Sequence, residues 1–310
     1  MIRRILLAAA LALTGALGAR AAEPVVLNVA TIPADNSAVV YYAQDLGFFK
    51  DAGLDVRITG MPSSPPIIAA IASGAMDIGN SVVGSAAAAR DRGIPVRFIA
   101  PSGLYLASHP TGRLMAAKDS PIRTAADLNG KTIAVSGLAD LTYFATKGWI
   151  DQNGGNLSTV KFVELPFPQM AAALAAHRVD AAMIIEPFLT AAKNDTRLVA
   201  DVDDVVAHRF LATGWLTTDA WIQGHHDAAV RFAGAIRKAA VWANAHRSES
   251  ARILLRYTKI DPKIVASMNR VEYALTLDPA QLQPAIDSAV KYGTAHAMPA
   301  TDLIWNPAKQ

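Results

Sequence analysis

The chain has 310 residues, 52% of them hydrophobic, with 29 Lys and Arg against 26 Asp and Glu and no cysteine. That length suggests roughly two ordinary domains, and the lack of cysteine excludes both a disulfide scaffold and a lipid-bearing cysteine. Arg3, Arg4 and Arg20 lie in the first stretch with no acid beside them, so the chain from residue 22 onward carries 26 bases against 26 acids and no electrostatic footprint for nucleic acid or anionic lipid.

In chain order, residues 1–21 read as a secretory signal peptide. Arg3 and Arg4 precede an apolar run from Ile5 to Leu17, and Ala19-Arg20-Ala21 supplies the small-x-small cleavage signal. The run is shorter than the roughly twenty residues a bilayer span requires. The expected location is the periplasm, with cleavage after Ala21 and no insertion in the membrane. The longest later uncharged run, Ile58 to Met76, contains Pro62, Pro65 and Pro66 and is not a span.

VVLNVAT (25–31) then reads as a strand and SAVVYYAQDLGFFKDAG (37–53) as a helix punctuated by Gly47 and Gly53. LDVRIT is a strand, PIIAAIASG a helix closed by Gly74, MDIGNS a strand, GSAAAARDRG a helix and VRFIAPSG a strand. The second half repeats this grammar. Thr124 caps TAADLNG, KTIAVSG is a strand, LADLTYFATKGWIDQNGG a helix, VKFVELP a strand, PQMAAALAAHR a helix and VDAAMII a strand. The chain from Asp219 on is helical and is expected on the first lobe. The fold class is α/β, two Rossmann-like lobes around a central cleft. Residues 22–114 plus 215–310 form lobe 1 and 115–214 lobe 2, joined by a two-strand hinge from GRLMAAKDS (112–120) and FLATGWLTT (210–218).

Parallel α/β sheets bind ligands outside the carboxyl ends of their strands. The candidate ligand-binding residues are therefore Asp35, Asn36 and Ser37; Ser63 and Ser64; Asn80, Ser81 and Val82; Gly137, Leu138 and Asp140; Phe167, Pro168 and Gln169; and Glu186 and Phe188. Trp215 is a further aromatic candidate for stacking. Asn80 and Ser81 divide evenly between ligand contact and helix cap, and for Asp35 and Asp140 a capping or solvent-facing role is at least as well supported. Asp77 and Asp180 stand at the amino ends of their strands and read as turn or capping residues. These loops hold no Lys or Arg but three acids, Asp35, Asp140 and Glu186, which favours a small organic ligand with hydrogen-bond donors or an amine over a compact anion.

The segments YYAQDLGFFKDAGLDVRI, AAIASGAMDIGNS, SPIRTAADLNGKTIAVSG, PQMAAALAAHRVDAAMIIEPF and IWNP occur in this order across nearly all of the chain after the leader. Together they resemble the solute-binding proteins of ABC importers, type II periplasmic fold, in the NMT1/THI5-like branch for aliphatic sulfonates, taurine, nitrate and thiamine-pyrimidine precursors. The resemblance implies a clamp that closes on a small-molecule ligand and delivers it to an ABC permease at the inner membrane. It implies a monomer, no cofactor and no catalysis. It also places ligand contacts at Asn80-Ser81-Val82, at the helix start after KTIAVSG and at Glu186-Pro187-Phe188. Where sulfonate-binding relatives have a serine-rich run, this chain has Gly137-Leu138-Ala139-Asp140, which speaks against a sulfonate. A binding protein reporting to a membrane sensor has the same sequence signature.

Other motifs fall away on inspection. Gly130-Lys131-Thr132 lacks the earlier glycine of a phosphate loop, with Ala125 in its place. His225-His226-Asp227 has no further metal ligand at recognisable spacing and reads as a helix start. A hydrolase lacks its G-x-S-x-G elbow and H-E-x-x-H helix, and the pyrimidine-making relatives carry a cysteine-rich motif that is missing here.

Overall fold

The structure, a computed structural model, describes residues 23–258 and 260–309. The leader expected over residues 1–21 lies outside the described residues.

The first lobe opens with β1 (Val25–Thr31), α1 (Val39–Asp45), α2 (Phe48–Asp51), β2 (Leu54–Gly60), α3 (Ser64–Ala72), β3 (Ile78–Val82), α4 (Val83–Asp91) and β4 (Val96–Pro101). After β5 (Gly103–Leu106) the chain enters the second lobe with β6 (Gly112–Ala117), followed by β7 (Thr132–Val135), α5 (Leu141–Gln152), β8 (Lys161–Glu164), α6 (Phe167–Ala175), β9 (Ala181–Ile185), α7 (Phe188–Ala191) and β10 (Thr196–Ala200). It returns through β11 (Arg209–Leu211) and β12 (Thr213–Thr218). The rest is α8 (Asp219–Gly224), α9 (His226–Ala245), α10 (Arg247–Tyr257), α11 (Pro262–Ser267), β13 (Glu272–Tyr273) and α12 (Pro279–Lys291). No described helix is long and apolar enough to cross a membrane.

The two main sheets have one plan. The first runs β2-β1-β3-β12-β4 and the second β8-β7-β9-β6-β10, so the members correspond one to one. In each sheet the strand entering from the other lobe is inserted antiparallel beside the third strand. β12 pairs antiparallel with β3 and β4, and β6 with β9 and β10.

This corrects three expectations. The sheets are mixed where parallel ones were expected. GRLMAA and the second half of FLATGWLTT are sheet members, buried along nearly their whole length as interior strands are; the two strands that join the lobes are instead β5 and β11, paired within the small sheet β11-β5-β13. Finally, the C-terminal helices divide. α9 and α10 pack on α1 of the first lobe, whereas α12 touches both α4 and α5 and so spans the two lobes.

Small residues make this packing possible. Along β3 the backbone at Gly79 lies so close to α3 that a Cβ would stand 2.3 Å from Ile67 and 2.6 Å from Ile71. At the start of α4, a Cβ on Gly84 would meet Phe144 of α5 at 2.2 Å. The alanines of α4, Ala86 to Ala89, are buried beside α12 and α5. Small side chains there let helices of opposite lobes lie against each other.

Candidate functional site

The strand tips of the two lobes confront one another and the lobes are shut. Ser85 Oγ in α4 donates to the Ala139 carbonyl across the cleft at 3.0 Å. The Asn269 N–H of the first lobe reaches Glu186 Oε1 at 3.4 Å, and Asn269 Nδ2 donates to the Pro110 carbonyl at 2.9 Å. Between the lobes lie two cavities of about 40 Å³ each, which share Asn36, Leu141, Ile185, Asp203 and Ala212, and beside them a more open pocket of about 390 Å³ reaches Thr111, His109, Arg247, Asn269 and Arg270. A groove of about 650 Å³ near Arg97, Asp219 and Trp305 is larger but opens on the surface of the first lobe, and its charges already pair, Arg97 Nε to Asp219 Oδ1 at 2.7 Å. Lobe closure does not bear on it, so the interlobe cavities are the better candidate site.

Of the sequence-based candidates, Asp35, Asn36, Ser64, Val82, Asp140, Phe167 and Glu186 line these cavities. Their carboxylates are held differently. Asp35 is buried and paired with Arg270, Nε to Oδ1 at 2.9 Å, and its Oδ2 accepts the Val271 N–H at 2.8 Å. Burial raises its carboxyl above the usual range even though Arg270 pulls the other way. Asp140 caps α5: Oδ1 accepts the Thr142 N–H at 3.0 Å, and the Ser136 and Thr142 hydroxyls also donate to the carboxylate. Burial outweighs these bonds and pushes it up to about 6. Glu186 accepts the Thr190 N–H at 3.1 Å and its hydroxyl at 2.9 Å, ties down the start of α7, and is likewise raised by burial.

The remaining candidates stand elsewhere. Ser37 Oγ turns back to the carbonyls of Ile32 and Ala34, and Ser63 stands at the N-cap of α3. Ser81 Oγ donates to the Val82 carbonyl at 3.2 Å. Asn80 is buried with neither amide atom partnered among the described residues, opposite Trp215 in the sheet. Trp215 is a correction. It was expected to stack on a ligand, but it is 0% exposed and packs edge-on to Phe232 in the first-lobe core, because strand alternation turns it toward α9. Gly137 is buried against Asp140 and Pro65, Leu138 is 44% exposed, and Pro168 and Gln169 are exposed on α6. Phe188 lies behind Phe167, the rings stacked with centroids 6.3 Å apart. His225 stacks on Trp221, and His226 stands edge-on to Trp305.

Loop reasoning missed Asp203, Tyr105, Thr111, Gly112 and Met183. Asp203 sits in a single 3-10 turn, Val202–Val205, between the last strand of the second lobe and the return to the first. It is 4% exposed, and its Oδ1 is buried with no hydrogen-bond partner among the described residues. Its neighbours Asp201 and Asp204 are both engaged: Asp201 lies 2.7 Å from Arg113 Nε, and Asp204 accepts the Tyr105 hydroxyl at 2.6 Å. Burial and the charges of Asp204, Asp201 and Asp140 raise the Asp203 carboxyl well above the usual range.

A family model described as NMT1/THI5 like matches residues 34–250. Among solved structures, a zinc-bound ligand-binding component of an ABC-type import system from Staphylococcus aureus is 15% identical, covers 91% of this chain and 96% of its own, and has a TM-score of 0.78. The alkanesulfonate-binding protein SsuA from Xanthomonas axonopodis pv. citri, bound to MOPS, is 18% identical over 92% and 99%, TM-score 0.76. The desulfurization enzyme DSZB is 16% identical over 90% and 95%, TM-score 0.67. At these identities the likeness establishes the fold, type II periplasmic binding protein. No curated protein matches the chain.

Proposed function

Because the chain belongs to the NMT1/THI5-like family, we propose that it is the periplasmic solute-binding component of an ABC-type importer. It acts as a monomer that captures a small organic solute by lobe closure and presents the closed form to a membrane permease. The observation that carries this reading is that the interlobe cavities are lined from both sides, by Asn36 and Ser64 of the first lobe and Asp140, Phe167 and Glu186 of the second. A solute touching both walls has contacts in the closed form that the open form lacks, and only such differential contacts shift a conformational equilibrium. Moving a clamp from mostly open to mostly closed takes about 5.5 kcal/mol of differential binding.

The reading assigns no catalytic step. Among the described residues no His, Lys, Arg or Cys lines either cavity, so they offer no Ser-His hydrolytic pair there. The same lack of cationic side chains disfavours nitrate or an alkanesulfonate, which would face carboxylates with only N–H groups in support, and favours a solute rich in hydrogen-bond donors. Mass spectrometry of small molecules released on denaturing the purified protein, followed by X-ray scattering of the dialysed protein with the released molecule added back, tests the proposal. The expected result is a discrete solute and compaction. No released solute, together with no compaction on adding any member of a panel of sulfonates, nitrate, pyrimidines and amines, overturns it.

A further inference from the structure

We infer that the interlobe cavity is built for a compact organic cation, a protonated amine, and that Asp203 is the residue that anchors it. The inference rests on the solute-capture reading and adds the charge of the ligand and the residue that selects it.

Four acids line the two compartments, Asp35, Asp140, Glu186 and Asp203. Three are occupied: Asp35 by Arg270 and the Val271 N–H, Asp140 by Ser136 and Thr142, Glu186 by Thr190 and Asn269. The Asp203 carboxylate alone accepts no hydrogen bond among the described residues, and it belongs to both compartments. Arg113 pairs with Asp201 and Arg270 with Asp35. An unpaired buried carboxylate is costly unless it takes a proton or a counter-cation. Burial and the neighbouring acids raise the Asp203 carboxyl, so in the ligand-free protein a proton competes for the place a cation would take.

The rest of the cavity specifies what replaces the proton. Asn36 Oδ1, on the opposite wall, is a second buried acceptor without a donor. An ammonium group, with three donors, serves both oxygens. One compartment adds Ile32, Phe167 and Met183, an apolar lining for a short hydrocarbon body. A water needs roughly 10–15 Å³ of such volume, so each 40 Å³ compartment holds only a few non-hydrogen atoms. Among the described residues no three His, Cys, Asp or Glu converge to hold a metal ion, which points to an organic cation.

The test is calorimetry on the mature chain with ethylamine, ethanesulfonate and nitrate as probes, in buffers of different ionisation enthalpy at pH 6. The expected result is ethylamine binding with proton release, seen as a buffer-dependent heat, because the ammonium displaces the Asp203 proton to solvent. Asp203→Asn should weaken that binding at least about tenfold and abolish the proton release, while the ligand-free variant melts no lower than the parent. Gly112→Ala places a Cβ 3.4 Å from Asp203 Oδ2 and 2.9 Å from Met183, and narrows the site without touching the charge. It should weaken ethylamine as well. No ethylamine binding at millimolar concentration, undiminished binding in Asp203→Asn, or buffer-independent heat in the parent overturns the inference. If ethanesulfonate or nitrate binds instead and compacts the protein, solute capture stands and only the cation preference falls.

Discussion

In the first lobe Asp77 Oδ2 accepts the Asn28 N–H at 2.7 Å, where the third strand of the sheet begins; in the second, Asp180 Oδ2 accepts the Thr132 N–H at 2.8 Å at the corresponding place. Three residues before each Asp the chain turns through the left-handed region, at Gly74 (φ 76°) and at His177 (φ 51°). The amino-terminal bases of the lobes are therefore the same device made twice. Their tips are not. The first lobe offers Asn36 and Ser64 to the cavity, and its one acid there, Asp35, is neutralised by Arg270. The second offers Asp140, Glu186 and Asp203, none with a basic partner among the described residues. A repeated frame must satisfy the same backbone groups wherever a helix returns to a strand, whereas the tips are free to diverge toward a ligand.

The largest effect that would sharpen this asymmetry comes from the neutralised side. Arg270→Ala strands Asp35 as a lone buried charge and should cost about 3–5 kcal/mol in denaturant unfolding. A loss under about 1 kcal/mol would show that the first lobe needs no neutralisation.

Next is the unpaired side. Burial raises Asp140 from 3.8 to about 6, so the folded state holds this proton more tightly than the unfolded chain. The stability is fully present below about pH 4 and is lost as pH rises through about 6, about 3 kcal/mol in all at 1.36 kcal/mol per pKa unit. The melting temperature should fall between pH 4 and pH 7. Asp140→Asn, which retains a capping oxygen, should make that fall shallower, with Asp35, Glu186 and Asp203 still contributing in the same direction; a parent whose stability climbs over the same range contradicts the assignment.

The bases should respond alike. Asp77→Ala and Asp180→Ala should each cost about 1–2 kcal/mol. Asp77→Ala should cost more, because Asp77 Oδ1 also accepts Trp221 Nε1 at 3.0 Å. The smallest effect lies in the turn: Gly74→His should destabilise by about 1 kcal/mol, and His177→Gly should be neutral or stabilise by less than that. Equal destabilisation by both would break the equivalence of the two turns.

The alternation of apolar strands and helices, and the place of Asp77 and Asp180 at strand starts, could be read from the chain because both are local in sequence. Insertion of β6 and β12 beside β9 and β3 could not, since an apolar extended segment between lobes reads equally as a connector or as a strand. β10 escaped for a related reason: TRLVA is five residues long and opens with the polar Thr196 and Arg197, so it reads as loop even though a turn over 192–195 precedes it. Asp35 had no visible cation because Arg270 lies 235 residues away. Asp203 stands in DVDDVV, which reads as a solvated charged loop. Only the buried Val202 beside it hints that the turn faces inward.

The claim on which all of this depends is that the facing tips close on a solute. The chain has no cysteine, so spin labels on Cys introduced at exposed Val230 of α9 and Leu198 of β10 would report the distance between lobes without background. Double electron–electron resonance on the dialysed protein, with ethylamine, ethanesulfonate and nitrate in separate arms, should give a broad distribution that narrows and shifts in the arm where calorimetry detects binding. An unchanged distribution in that arm would contradict the account.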